Sequence, residues 1–286
     1  VDEADIVKTD GKYVYFAVNG ALRIAEAMQP RIVSVTALGG VVREMFVEGD
    51  RAVVYTSAGG APRRCTYGYD CAFGGDGTST KVVVLDLGDR SAPRVVREIA
   101  LSGSLVTARR VGRAVHTVVA DGDAPTPRYE TWPLDLETCG TPEATVRAKF
   151  AKLKADNETI LRSTKASFPV MTEGGRTRPL CDGLLRTAIK DGSAYTSLVS
   201  FDLARDDDPP TTATIQSRPG AVFASGTALY MSVVHKKAGG GGGRWYSGYP
   251  SVDEVSDIHK FRIGAAPKET RYVGSGAVPG HVLNQF

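Results

Sequence analysis

The sequence predicts an all-β fold of about four four-stranded antiparallel units, with one helical insertion. Three observations predict it. A hairpin of two β-rich segments joined by a tight Gly-bearing turn occurs four times. Each hairpin is followed by two further β-rich segments and then by a Gly step. The extra residues that lengthen some units fall at the same point of each. The composition agrees: 42% of residues are apolar and 23% charged, the range of a globular chain.

The first pair of segments, taken in order, is Ile6-Val7-Lys8-Thr9 and Tyr13-Val14-Tyr15-Phe16 around Gly11. Glu44-Met45-Phe46-Val47 and Ala52-Val53-Val54-Tyr55 flank Gly49. Val106-Thr107-Ala108-Arg109 and Val115-His116-Thr117-Val118 flank Gly112. Ala221-Val222-Phe223 and Leu229-Tyr230-Met231-Ser232-Val233 flank Gly226. Glycine is expected at such turns because they require a positive φ, and β-branched and aromatic residues suit the strands. The third strand of each unit reads Ala21–Ile24, Val82–Leu87, Leu198–Leu203 or Ile258–Ile263, and the fourth Arg31–Val35, Arg94–Ile99, Thr211–Ile215 or Thr270–Val273. Gly39-Gly40, Gly103, Gly220 and Gly280 mark the steps onward. Four short antiparallel strands, repeated as a block, form the pattern of β-propeller blades, which bury their sheet faces only by packing on one another. A β-sandwich with irregular loops is the competing architecture.

Only Gly11 and Gly49 are separated by about one minimal blade of ~40 residues. The blades are read as 5–40, 42–103, 104–217 and 218–279, with 280–286 as an inner strand of a fifth. Their insertions are 57–80, 121–194 and 235–255, each between the second and third strands. That places all three on one face of the disc and the hairpin turns on the other, as expected for an elaborated functional face. The four cysteines lie in these insertions. Cys65 with Cys71 would close a small loop, and Cys139 with Cys181 would bracket the helical segment; four unrelated thiols are the alternative. A helix is predicted over 142–163, with Thr141 as N-cap, Pro142 at its first position and Val146, Phe150 and Leu153 as an apolar stripe packing on the blades. Lys149, Lys152 and Lys154 form its solvated side. Gly239 to Gly243 reads as a flexible run that leads into Trp245, Tyr246 and Tyr249.

Catalytic signatures such as a G-x-S-x-G elbow, H-E-x-x-H, a P-loop or G-x-G-x-x-G are absent from the sequence. His116 and His259 fall within strands and are read as structural. Asp2, Glu3 and Asp5 are clustered carboxylates of the kind that suits Ca2+, although their spacing is not that of a calcium loop, and a solvated cluster is the plainer reading. No other cofactor is called for. Lys8, Glu44, Arg109 and Asn284 would line the central channel. The net charge of +3 does not point to nucleic acid. No run approaches the ~18 apolar residues of a membrane span.

The opening, Val1-Asp2-Glu3-Ala4-Asp5-Ile6-Val7-Lys8-Thr9-Asp10-Gly11-Lys12-Tyr13-Val14-Tyr15, closely resembles the start of the bacterial secreted beta propeller domain family, a distant relative of WD-40 repeats. Gly280-His281-Val282-Leu283-Asn284-Gln285-Phe286 resembles that family's internal Leu-Asn-Gln-Phe strand, and the Cys-flanked helical insertion is similar too. The chain departs from WD-40 proper, with Leu85-Asp86 and Phe201-Asp202 where Trp-Asp would stand. The resemblance implies a secreted or cell-envelope location, with any lipid anchor outside this chain, and further blades beyond Phe286; closure with four blades is the alternative. It implies no enzymatic activity. The expected role is therefore a non-catalytic module for protein or polysaccharide, contacted through Tyr67, Tyr69, Trp245, Tyr246, Tyr249 and Arg109. The alternative is a hydrolase or lyase acting on glycans with carboxylates at the channel mouth.

Overall fold

The computed structural model describes residues 1–58, 75–122, 129–137, 139–164, 168–181, 184–186, 194–236 and 254–283. Strand β1 (Asp2–Glu3) precedes a first sheet of β2 (Val7–Thr9), β3 (Tyr13–Val18), β4 (Ala21–Glu26) and β5 (Ile32–Ala37). The second sheet holds β6 (Val41–Glu48), β7 (Arg51–Ala58), β8 (Ser79–Asp86) and β9 (Arg94–Leu101). β10 (Ser104–Val111) and β11 (Ala114–Asp121) begin the third. Helix α1 (Glu143–Ser163), β12 (Val170–Glu173), β13 (Arg176–Pro179) and β14 (Leu185–Arg186) come next in the chain. The third sheet then resumes with β15 (Tyr195–Asp202) and β16 (Thr211–Gln216). The fourth is β17 (Ala221–Ala224), β18 (Ala228–Lys236), β19 (Glu254–Arg262) and β20 (Arg271–Pro279). The four principal strands of each sheet form an antiparallel meander in sequence order, as blades of a propeller do; β1 and β14, the latter parallel to β16, add to the edges of the third sheet, and β12 and β13 to the second.

Three apolar cores join successive blades. Tyr15, Leu22 and Ile24 of blade one meet Met45, Val54 and Leu85 of blade two. Phe46, Tyr55 and Val84 of blade two meet Val115, Val199 and Phe201 of blade three. Val118, Leu198 and Ile215 of blade three meet Leu229, Met231 and Phe261 of blade four. All these side chains are at most 2% exposed, so each contributes roughly 1.5–3 kcal/mol relative to standing in water. Among the described residues, no such core joins blade four to blade one.

Polar bonds fix the same junctions. Arg97 on β9 is 6% exposed; it pairs with Glu173 at 2.5 Å and donates to the carbonyls of Arg205 (3.2 Å) and Asp208 (2.8 Å) on the turn of blade three. The Tyr55 and Thr117 hydroxyls bond at 2.7 Å between blades two and three. His116 on β11 is fully buried. Its Nε2 lies 2.9 Å from the Gly264 carbonyl of blade four, an acceptor only, so Nε2 carries the proton and donates. Nδ1 accordingly accepts from the Ser200 hydroxyl at 2.8 Å.

The glycines act in two ways. Gly49 and Gly112 adopt φ of +55° and +58° at the hairpin turns, the left-handed conformation that glycine adopts without steric cost. Gly226 does not, so the expectation of a positive φ fails at the fourth turn; there Ser225 caps the turn by accepting from the Ala228 N–H at 3.2 Å. At two of the step glycines space is also decisive, at Gly40 in addition to its φ of +72°. A Cβ on Gly40 would lie 2.3 Å from the Ser57 carbonyl oxygen, and one on Gly220 would lie 1.9 Å from that of Ser232.

Residues Val1–Gly122 with Phe168–Phe286 form one compact unit, and Asp123–Ser167 forms another. Inside the second unit, Phe150 of α1 packs edge-to-face on Trp132 at 5.3 Å, and Lys149 pairs with Asp135 at 2.6 Å. α1 has no buried residue. The expected Thr141 cap is not formed: Pro142 is the N-cap residue, and the Thr141 hydroxyl donates to the Glu137 carbonyl at 3.0 Å.

Candidate functional site

The inner strands of blades one to three carry the densest group of charges among the sequence candidates. The segment that leads into β2 crosses all three. β1 pairs antiparallel with β10, setting Asp2 opposite Arg110 and Glu3 opposite Arg109. Asp5 then exchanges backbone bonds with Met45 on β6, at 3.1 and 2.7 Å, before the chain enters blade one.

This register determines where the candidate side chains go. Successive residues of a strand point to opposite sides, so Asp2 and Glu3 separate. Asp2 accepts from Lys8 at 2.8 Å and pairs with Arg110 at 3.1 Å. Arg110 also pairs with Glu48 at 2.7 Å. Glu3 pairs with Arg109 at 2.9 Å. Asp5 accepts from the Ile6 N–H at 2.7 Å. The expected carboxylate cluster is therefore divided among separate partners. Among the described residues, no three His, Cys, Asp or Glu side chains converge as metal ligands, and Asp2, Glu3 and Asp5 do not form one group.

Arg109, expected to face a ligand, is 4% exposed. Besides Glu3, its guanidinium donates to Thr107 Oγ1 at 2.5 Å and to the Ala108 carbonyl at 2.9 Å. Glu44, on β6, is placed differently. Burial pushes its carboxyl up to about 7, reinforced by the nearby Asp5 and Glu3, while Arg109 and the Ala108 N–H pull the other way. Its Oε1 is buried and accepts no hydrogen bond. Glu44 is thus a carboxyl that holds a proton near neutrality beside a cation, an arrangement found both at functional sites and in structural ion-pair networks.

Tyr67, Tyr69, Trp245, Tyr246 and Tyr249 lie outside the described residues, as do Cys65, Cys71 and Asn284. Cys139 and Cys181 are free thiols, so the bridge expected between them is absent. They belong to different compact units, Cys181 to the blades and Cys139 to the unit that contains α1. Sequence reasoning missed the β12–β13 hairpin, which adds to the outer edge of β9 and makes blade two a six-stranded sheet. Its signal was present: Gly174-Gly175, at φ of +55° and +75°, is a two-residue turn between alternating strands.

Four-stranded meanders that share their cores define a β-propeller protein. Over residues 1–286 the chain matches the profile described as Beta propeller domain, and it belongs to that family. No curated protein matches it. A solved structure, KlHsv2 with loop 6CD replaced by a Gly-Ser linker, is 8% identical over 96% of this chain and 86% of that one, with a TM-score of 0.25. A likeness of that size carries no argument about this chain.

Proposed function

We propose that this chain is an exported cell-envelope module that binds or scaffolds protein or polysaccharide. The observation that carries the proposal is the placement of the long connections. Between the second and third strands, β7 ends at Ala58 and β8 begins at Ser79, β11 ends at Asp121 and β15 begins at Tyr195, and β18 ends at Lys236 and β19 begins at Glu254. In an antiparallel meander those connections leave every blade at the same end, while the hairpin turns stay tight at the other. Long loops on a rigid scaffold are where binding residues concentrate. Export rests on the family resemblance of the opening residues. The test is to screen the exported domain on glycan and protein arrays, alongside a variant lacking 239–249. Reproducible capture that the deletion weakens supports the proposal; no ligand on either array, with unchanged behaviour of the deletion, overturns it.

Glu44 favours a second reading, hydrolase or lyase action on glycans. A carboxyl poised near neutrality is what a general acid requires. A polysaccharide-cleaving activity that Glu44→Gln abolishes would establish this reading in place of the first.

A further inference from the structure

The turns that follow the third strands show one junction built differently from the others. Leu87, Leu203 and Ile263 are buried, and each donates its N–H to a hairpin-turn carbonyl: Asp50 at 2.8 Å, Arg113 at 2.9 Å and Thr227 at 3.2 Å. These three residues therefore hold one structural position. Three residues further on stand Arg90, Asp206 and Ala266. Arg90 reaches from blade two to blade one and donates to the Tyr15 hydroxyl at 3.1 Å. Asp206 reaches from blade three to blade two and pairs with Arg51 at 3.0 Å. Ala266 has no side chain to reach blade three, and a cavity of about 240 Å³ lies beside it, smaller than the shallower one of about 610 Å³ beside Arg90.

The mouth of this cavity is basic and its floor is apolar. Arg113, Arg205 and Lys268 line it, with side chains 61%, 61% and 74% exposed. Phe201, Pro209 and Pro267 supply apolar wall. Two carboxylates oppose the three cations. Asp202 is bonded to the Ala204 N–H at 2.8 Å and stands 4.0 Å from Arg113. Asp208 is shared between Arg205 at 3.3 Å and Lys268 at 3.9 Å. These contacts are long and their cations are mostly exposed, although Asp202 is only 11% exposed, so an incoming carboxylate can replace them at little cost. The walls are held from behind by Arg97 on the carbonyls of Arg205 and Asp208 and by His116 on that of Gly264, so the site is preorganised.

We infer that this junction recognises an acidic side chain presented by a partner protein: a carboxylate on a short apolar stem, seated between blades three and four. The volume is below the ~300–1,000 Å³ of pockets that take whole small molecules, and fits one side chain of a longer ligand. The stem suits the Ala and Pro walls, and the carboxylate meets Arg113, Arg205 and Lys268. A sugar ring would find few hydrogen-bonding groups on that floor. The site lies at the hairpin-turn end of the blades, so it does not depend on the long connections invoked above.

The test measures binding of a fluorescent Glu-Leu-Glu-Leu-Glu peptide by polarisation, with its Gln-Leu-Gln-Leu-Gln counterpart and oligogalacturonate as competitors. The Glu peptide is expected to bind and to resist displacement by the Gln peptide. The double variant Arg113→Ala/Lys268→Ala should weaken it at least tenfold. Ala266→Arg, which supplies the bridging side chain found in blade two, should abolish binding. Lys152→Ala on α1, the loss of one positive charge elsewhere, should leave it unchanged. Absence of binding to the Glu peptide, equal losses in the double variant and Lys152→Ala, or preferential capture of oligogalacturonate would each overturn the inference. Should Ala266→Arg melt at a lower temperature, the exposed double variant decides alone.

Discussion

His116 offers a direct measurement of how blades three and four are held together. Its ring is fully buried between the Ser200 hydroxyl and the Gly264 carbonyl. Burial pulls the imidazole down to about 4, against the opposing effect of the bond to Gly264. In the unfolded chain the same ring titrates near 6.5. The folded state thus binds the proton less readily than the unfolded one. Stability from this group is complete above pH 6.5 and drains away as the pH falls from 6.5 toward 4. The full loss is about 3 kcal/mol, of which about 2 kcal/mol is already gone at pH 5. Urea unfolding at pH 7.5 and pH 5 would read it, with His116→Gln as the reference. That variant is less stable at pH 7.5 but lacks the acid-dependent step, so the gap between the two proteins should narrow by about 2 kcal/mol at pH 5. Other groups titrate equally in both proteins and cancel. A gap that is the same at both pH values, or an NMR titration that places the His116 ring at 6 or above, would refute the reasoning.

Glu44 runs in the opposite sense. Its folded carboxyl is raised to about 7, so stability is present at low pH and is lost as the pH rises through that value. Glu44→Gln should therefore melt higher than the parent at pH 8 and close to it at pH 5, as followed by thermal denaturation. Gly220→Ala forces a methyl against the Ser232 carbonyl oxygen at 1.9 Å, backbone that cannot step aside. We expect a loss of ~3 kcal/mol or more, a drop of roughly 5–10 °C in Tm, whereas Gly226→Ala, with open space around it, should shift Tm by little. Arg97→Ala strands Glu173 and two carbonyls at the junction of blades two and three. A cost of ~2–3 kcal/mol is expected in urea unfolding, and Arg97→Lys should recover little of it, since a lysine cannot fork to three acceptors in the same geometry.

What could be read from the residues depended on how far along the chain each interaction reaches. The strands were legible because their signals are local: a Gly turn between β-branched runs needs no information from elsewhere. His116 inside a strand was also rightly read as structural, although its partners Ser200 and Gly264 were not foreseeable. The role of Arg109 was not legible. Facing a channel or being covered depends on whether β1 lies on β10, a pairing that joins Glu3 to Arg109 across more than a third of the chain. The acidic opening read as solvated for the same reason, because its cations, Lys8 and Arg110, come from two other strands.

The turn after the third strand lies between these cases, and it shows what a repeat adds to sequence reading. Asp86 and Asp202 stand where the repeat leads one to look, and each does the same local work: Oδ1 accepts the N–H two residues on, from Gly88 and from Ala204, at 2.8 Å. That work is independent of the blade's neighbours, so the residue type recurs. The position four residues after each of them also reaches the preceding blade; Arg90 does so while bonding the Leu87 and Gly49 carbonyls of its own blade. Arg90 and Asp206 have opposite charges because their targets, Tyr15 with Asp10 in one case and Arg51 in the other, differ in kind. A position that varies in charge from blade to blade, three residues after one that stays buried, is therefore one that faces a neighbour. Where that position becomes Ala266, the contacts to blade three run through Lys268 on Asp208 and through His116 on the Gly264 carbonyl, and the basic groups beside it stay largely exposed. Aligning the three turns by residue type alone leads to the same junction of blades three and four, because Ala266 is the member of the set that carries no charge.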